Sequence, residues 1–207
     1  MEQFDRQKTI ETIIRTEWDM FQQTDNIGGR ASCQDDPETF YIMRASQYEN
    51  WTDSMLSCWA SFLEKSKNEG RNLVTEKYGR MMQYTDLHYY NKYLKGVFPA
   101  VSQPCFRLIN TIVPQLIAWE QEFAAAWPKL ADAGRPITSD GDASGFTSME
   151  TYARGELETY PEELLRLYAD YVADLKAAGK SLSVMNQQTM VAYYGYDSID
   201  AAEASLA

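Results

Sequence analysis

Between Glu17 and Gln47 the chain reads EWDMFQQTDNIGGRASCQDDPETFYIMRASQ. Acidic residues, Arg30, Arg44, Cys33, a tryptophan and a Gly-Gly pair crowd this stretch, more polar chemistry than a connection between surface helices requires. It has the content of a polar pocket floor. Glu17 follows the apolar stripe of a first helix beside Trp18, and a carboxylate against a low-polarity wall can serve as general acid or base. The same residue can equally close a buried ion pair with Arg30 or Arg44. Asp35, Asp36 and, further on, Glu76 are the other carboxylates placed to move protons.

Cys33 is the candidate nucleophile. It follows a Gly-Gly-Arg turn and precedes a helix start, so the helix dipole and Arg30 or Arg44 favour its thiolate, whereas Asp35 and Asp36 oppose it. A small buried residue is the plainer account. For recognition, Arg30, Arg44, Arg71, Arg80 and Arg154 each sit beside aromatic or acidic residues, and guanidinium groups grip carboxylates in bidentate fashion. Gln47, Tyr78, Tyr84 and Tyr152 supply hydrogen bonds or a ring to stack on. Ordinary helix-surface pairing is the competing account: Glu76 with Arg80, Glu150 with Arg154 and Arg154 with Glu158 are four apart, worth about 0.2–0.5 kcal/mol each. The segments that combine Arg with Glu, Gln or Asp beside large aromatics recur, and that coincidence favours binding.

Metal chemistry is constrained by the single histidine, His88. Paired Glu-x-x-His motifs of a bundle di-iron centre need two, and a His-rich zinc centre needs more. The remaining option is Mg or Mn on Asp35, Asp36 or Glu38, but a helical acidic motif wants a third carboxylate on one face, where Thr39 stands. Capping of a helix explains Asp35 and Asp36 more simply. No phosphate-cradling glycine motif is present, and no cofactor is expected.

The elements that must position these residues are helices. The 207 residues suffice to bury about 70% of the surface of the unfolded chain, and 44% hydrophobic content indicates a packed globule, here expected as one domain over 1–207. A formal charge of -11 disfavours nucleic acid and anionic membrane surfaces as partners. Cys33, Cys58 and Cys105 are odd in number and widely spaced, which indicates reduced thiols and a cytoplasmic protein. Apolar steps of three and four mark a first helix from Glu2 to about Gln23, with Phe4, Ile10, Ile13, Ile14, Trp18 and Phe21 on its buried stripe. Further helices are expected near 37–48, 52–69, 72–84, 87–94 and 104–127, the last with Pro114 as a kink or a boundary. Residues 128–147 read as one long ordered loop covering a site. Helices follow at 148–160, 161–178 and 184–194, and 196–207 reads as a frayed tail. The class is all-α, a bundle of about 7–9 helices.

Four motifs give a family likeness: GGRASCQDD from Gly28, TF-x-IMR-x-SQ at Thr39–Gln47, GRN-x3-EKY-x-RMM at Gly70–Met82, and S-x-ETY-x-RGEL at Ser148–Leu157. In this order, over about Ile10 to Tyr168, the chain resembles a bacterial family known as domain of unknown function 4125. The resemblance implies no activity. From the residues themselves two functions stay open. One is a small cytoplasmic enzyme acting on a polar, amino-acid-like or carboxylate metabolite, with Glu17, Arg44, Glu76 and Arg80 converging under the 128–147 loop. The other is a non-catalytic binding or partner module whose buried polar cluster holds the fold.

Overall fold

A computed structural model describes residues 4–26, 28–143 and 146–206. The fold is all-α, and among the described residues the one β-type pairing is an isolated bridge between Ala143 and Phe146. Contacts gather into two compact units, Met1–Thr75 and Glu76–Ala207, whose boundary falls inside a helix.

In the first unit, α1 (Arg6–Gln22) begins where the Asp5 carboxylate accepts from the Lys8 N–H. The expected start at Glu2 lies outside the described residues. Ile10, Ile13, Ile14 and Phe21 are buried as the spacing predicts, but Phe4 is exposed because it precedes the cap and never joins the helical face. Helix α2 (Pro37–Tyr48) has Asp36 as N-cap and proline at its first position; α3 (Asp53–Asn68) is capped by Thr52. Helix α1 packs against both, and Ile42, Ala45, Met55, Leu56 and Leu63 complete the core. Gly70 ends α3 at φ +73°, a conformation open to glycine, and lets the Arg71 N–H reach the Ser66 carbonyl. Asn72 then caps α4 (Leu73–Thr85) through the Thr75 N–H.

The second unit continues from Glu76 through α4, α5 (Leu87–Tyr89) and a π-helical turn at Tyr90–Leu94. Helix α6 (Gln103–Ala126) is its longest element and runs unbroken through Pro114, so the proline marks no boundary. Helix α6 packs against α7 (Pro128–Asp132), α8 (Met149–Leu157), α9 (Glu162–Ala177) and α10 (Leu182–Tyr193). The expected frayed tail is instead α11 (Ile199–Ser205). Its Ile199 and Ala202 are buried against Phe123 and Val191, and Glu203 accepts from the Lys129 and Leu130 N–H groups at 3.0 and 2.8 Å. Two apolar residues on one face, Ile199 and Ala202, and one carboxylate fix a segment whose composition alone signals little. With α11 and the short α5 and α7, the helices number 11 among the described residues, more than the 7–9 expected.

The 128–147 segment is shorter as a loop than its composition suggests. Helix α7 takes its start, Ser139–Gly141 forms a 3-10 turn, and Ser144 and Gly145 lie outside the described residues. The rest is tied to the start of α8: Met149 and Glu150 donate backbone N–H groups to the Pro136 and Ile137 carbonyls, and Asp142 accepts from the Ser148 N–H and the Thr151 hydroxyl.

Candidate functional site

Glu17 sits in a buried polar cluster of the first unit. Its carboxylate takes both donors of the Arg44 side edge, Nε at 2.8 Å and Nη2 at 2.9 Å. The Tyr48 hydroxyl donates to the same carboxylate at 2.5 Å and the Trp59 indole N–H at 3.1 Å. Arg44 also donates to Gln47 at 2.9 Å and to the Tyr48 hydroxyl. Glu17 and Arg44 are 4% and 6% exposed, so the pair is largely withdrawn from solvent. The expected tryptophan wall is therefore built by another residue. Trp18 turns to the rings of Phe21 and Phe40, while Trp59, from α3, reaches the carboxylate.

The Gly28–Asp36 loop closes around Gln34, not around Cys33. Gln34 is 2% exposed; its amide donates to the Phe21 and Thr24 carbonyls and accepts from Asn26 and the Ala31 N–H, at 2.8–3.0 Å. Arg30 spans the surface of this loop, donating to Asp35 and to Gln22 and the Gln34 carbonyl. Its carboxylate partner is Asp35, whereas the guanidinium partner of Glu17 is Arg44. Cys33 is exposed, contrary to the buried account, because the 3-10 turn Ser32–Asp35 points Gln34 inward and its neighbours out. The Asp36 carboxyl accepts from the Thr39 N–H at 3.0 Å, and that bond holds its pKa below the usual carboxylate range. Asp35 and Asp36 thus have the loop-pairing and capping roles. Among the described residues no group of three or more His, Cys, Asp or Glu side chains is placed to share a metal ion.

The remaining predicted residues belong to the second unit, where α4 and α8 cross at Gly155. A Cβ there would stand 2.5 Å from the Met81 side chain and 3.0 Å from the Lys77 carbonyl, so only glycine lets the helices approach this closely. The approach brings a mixed-charge cluster together. Lys77 Nζ donates to the Tyr152 hydroxyl at 2.8 Å and lies 3.6 Å from Glu156; it also lies near the Tyr78 ring. Arg80 lies 3.7 Å from both Glu76 and Glu158, beyond hydrogen-bond reach, and donates through Nη2 to the Pro99 carbonyl at 2.8 Å. Its Nε is buried and finds no acceptor among the described residues. Arg154 faces Glu150 at 3.2 Å and Asn110 at 3.0 Å.

Burial raises the pKa of Glu158, against the opposing pull of Arg80, Arg154 and a hydrogen bond with Gln83. Burial and then the negative charge of Glu158 raise that of Tyr84 as well. Tyr84 is nonetheless 44% exposed, so the edge of this cluster reaches solvent. Glu150 is lowered: burial pushes its carboxyl up, but the Ser139 N–H and Arg154 outweigh that. Arg135, from the wrapped segment, stacks over the Tyr152 ring at 5.1 Å.

The four residues expected to converge close as separate pairs, Glu17 with Arg44 in the first unit and Glu76 with Arg80 in the second. Sequence reasoning missed Tyr48, Trp59, Gln34, Lys77, Glu156 and the Phe98–Pro99 segment as members of these clusters, and placed Glu158 only as a helix-surface partner of Arg154. Tyr48 lies one helical turn past Arg44 and Lys77 one turn before Met81, so helix geometry could have flagged them. Nothing local signals Trp59 or Pro99, which arrive from distant elements. No helix among the described residues is long and apolar enough to cross a membrane. A family model described as protein of unknown function (DUF4125) matches residues 7–204. The chain matches no curated protein and no solved structure.

Proposed function

The chain belongs to the DUF4125 family, and we propose that it binds a small carboxylate-bearing, amino-acid-like metabolite on the Arg80–Glu158 side of α4 and α8. One observation carries this reading: Arg80 is a buried guanidinium that makes a single hydrogen bond, with Nε unpartnered among the described residues and both neighbouring carboxylates at 3.7 Å. A buried donor left unmatched costs about 1–3 kcal/mol, so its retention calls for a use. Lys77 and Arg80 stand among Glu76, Glu156 and Glu158, a balance that suits a zwitterion better than a dianion. A ligand carboxylate belongs on Arg80 and a ligand ammonium on Glu158.

The enzymatic form of the reading assigns proton transfer to Glu158, whose raised pKa suits its carboxylate to take a proton from that ammonium, with Tyr84 as a hydroxyl donor at the solvent edge. Tyr152 and Arg154 hold the α8 side, as positioning residues. Acid and base roles for Glu17, Asp35, Asp36 and Cys33 lose support, since each has another partner or lies outside the cluster. A cytoplasmic location and the absence of a nucleic-acid partner are part of the proposal, supported by cysteine spacing and the formal charge of -11.

A second reading is favoured by a specific observation in the first unit. The Glu17 carboxylate already receives Arg44, Tyr48 and Trp59, which supports a purely structural role for that cluster. The experiment for the Arg80 site is a thermal-shift screen of the full chain and its Arg80→Lys variant against amino acids and short carboxylic acids. A ligand at about 100 times its Kd adds roughly 2.7 kcal/mol, a shift of several degrees at this size. The variant, which keeps the charge and loses the fork, should lose that shift. An equal shift in both proteins, or none with any compound, overturns the reading.

A further inference from the structure

We infer that Phe98 and Pro99 form a displaceable strap over Arg80, and that a ligand carboxylate binds by taking the place of the Pro99 carbonyl. The inference rests on the proposed Arg80 site and adds how the site opens. The protein supplies its own standard of comparison. On Arg44 the side edge of the guanidinium, Nε with Nη2, is filled by the two oxygens of one carboxylate at 2.8 and 2.9 Å. On Arg80 the same edge carries the Pro99 carbonyl on Nη2 at 2.8 Å, while Nε is buried and unmatched among the described residues. A backbone carbonyl presents one neutral oxygen and satisfies one donor of the fork. A carboxylate presents two oxygens at the fork's spacing and carries the complementary charge, so the exchange favours the ligand.

The strap is held by contacts that can be released together. The Phe98 ring lies over the Arg80 guanidinium, 5.7 Å from its centre, and fills a notch beside Gly79. A Cβ at Gly79 would stand 2.4 and 2.5 Å from the ring atoms Cε2 and Cζ, so the glycine makes room for this ring. On the other side the backbone runs without helix from the π turn ending at Leu94 to Ser102, the cap of α6. Gly96 lies there at φ +82°, and Val97 is 63% exposed. From this non-helical segment one hydrogen bond, at Pro99, and one ring, of Phe98, cover the guanidinium.

The test uses glycine, the smallest zwitterion, and acetate, which keeps only the carboxylate. Binding is measured by titration calorimetry on the full-length protein, Phe98→Ala, Gly79→Ala and Arg80→Lys, with amide hydrogen exchange over 96–101. Removing the ring, or expelling it with a methyl at Gly79, raises the fraction of open strap, so both variants should bind glycine at least about tenfold more tightly. Glycine should speed exchange across 96–101 in the unaltered protein, and Arg80→Lys should abolish binding. Arg80-dependent binding with neither tightening nor faster exchange overturns the strap and leaves the site standing. Failure of glycine and acetate to bind even the Phe98→Ala protein overturns both.

Discussion

Glu17→Gln separates a structural cluster from a functional one. The substitution removes a charge that receives two Arg44 donors, the Tyr48 hydroxyl and the Trp59 indole, all inside a region less than a tenth exposed. An amide offers one acceptor oxygen and leaves the Arg44 cation buried without its counter-charge. Removing one partner of such a pair costs about 3–5 kcal/mol. At about 2–4 °C per kcal/mol for a chain of this length, the melting midpoint should fall by roughly 6–20 °C. Glu17→Met with Arg44→Met removes both charges and leaves Trp59 donating to the Tyr48 hydroxyl at 3.1 Å, while that hydroxyl loses the carboxylate to which it donated. The double variant should lose only about 1–3 kcal/mol, the cost of that one unmatched donor, far less than the sum of the single variants. Urea unfolding followed by circular dichroism measures the parent, Glu17→Gln, the double variant and its two constituent singles, Glu17→Met and Arg44→Met. A single variant that loses less than about 1 kcal/mol, or a double variant that loses the sum of the singles, refutes the account.

Gln34→Ala should strip four hydrogen bonds from the loop that carries Arg30, Cys33 and Asp35, each orphaned buried group costing about 1–3 kcal/mol before relaxation. Hydrogen exchange should accelerate over 24–36 while α3 stays protected, whereas exposed Asp35→Ala should cost no more than about 1 kcal/mol. Glu120 of α6, half-buried and accepting from the Ser183 hydroxyl of α10 at 2.7 Å, has its pKa raised by desolvation against that bond. The folded state then binds the proton more tightly than the unfolded one. Its contribution is fully present below the ordinary glutamate pKa and is lost as pH rises through the raised value. Glu120→Gln should therefore stabilise the protein at neutral pH and not in acid, which urea titrations at the two pH values would reveal.

The helices were legible because their signals are local. Capping at Asp36 was read from adjacent residues, and its carboxylate does accept the Thr39 N–H at the start of α2. Apolar steps of three and four likewise marked Ile10, Ile13, Ile14 and Phe21 as buried. These features depend on one turn of backbone, which neighbouring residues dictate. The partners of the charged residues depend on which helices meet, and there the sequence was silent. Nothing near Glu17 in the chain distinguishes Arg30 from Arg44; α1 packing on α2 and α3 makes the choice and brings Trp59 from 42 positions away. Gly155 reads as a weak point in a helix until Met81 and the Lys77 carbonyl are seen against it. The same crossing buries Arg80 and Glu158, while the Phe98–Pro99 strap supplies the guanidinium with a single oxygen. Residue type and spacing determined the helices and the inventory of charges, because helix formation is a short-range property. Tertiary structure alone decided which charges are saturated and which keep an unmatched donor, because desolvation and pairing depend on elements far apart in the chain.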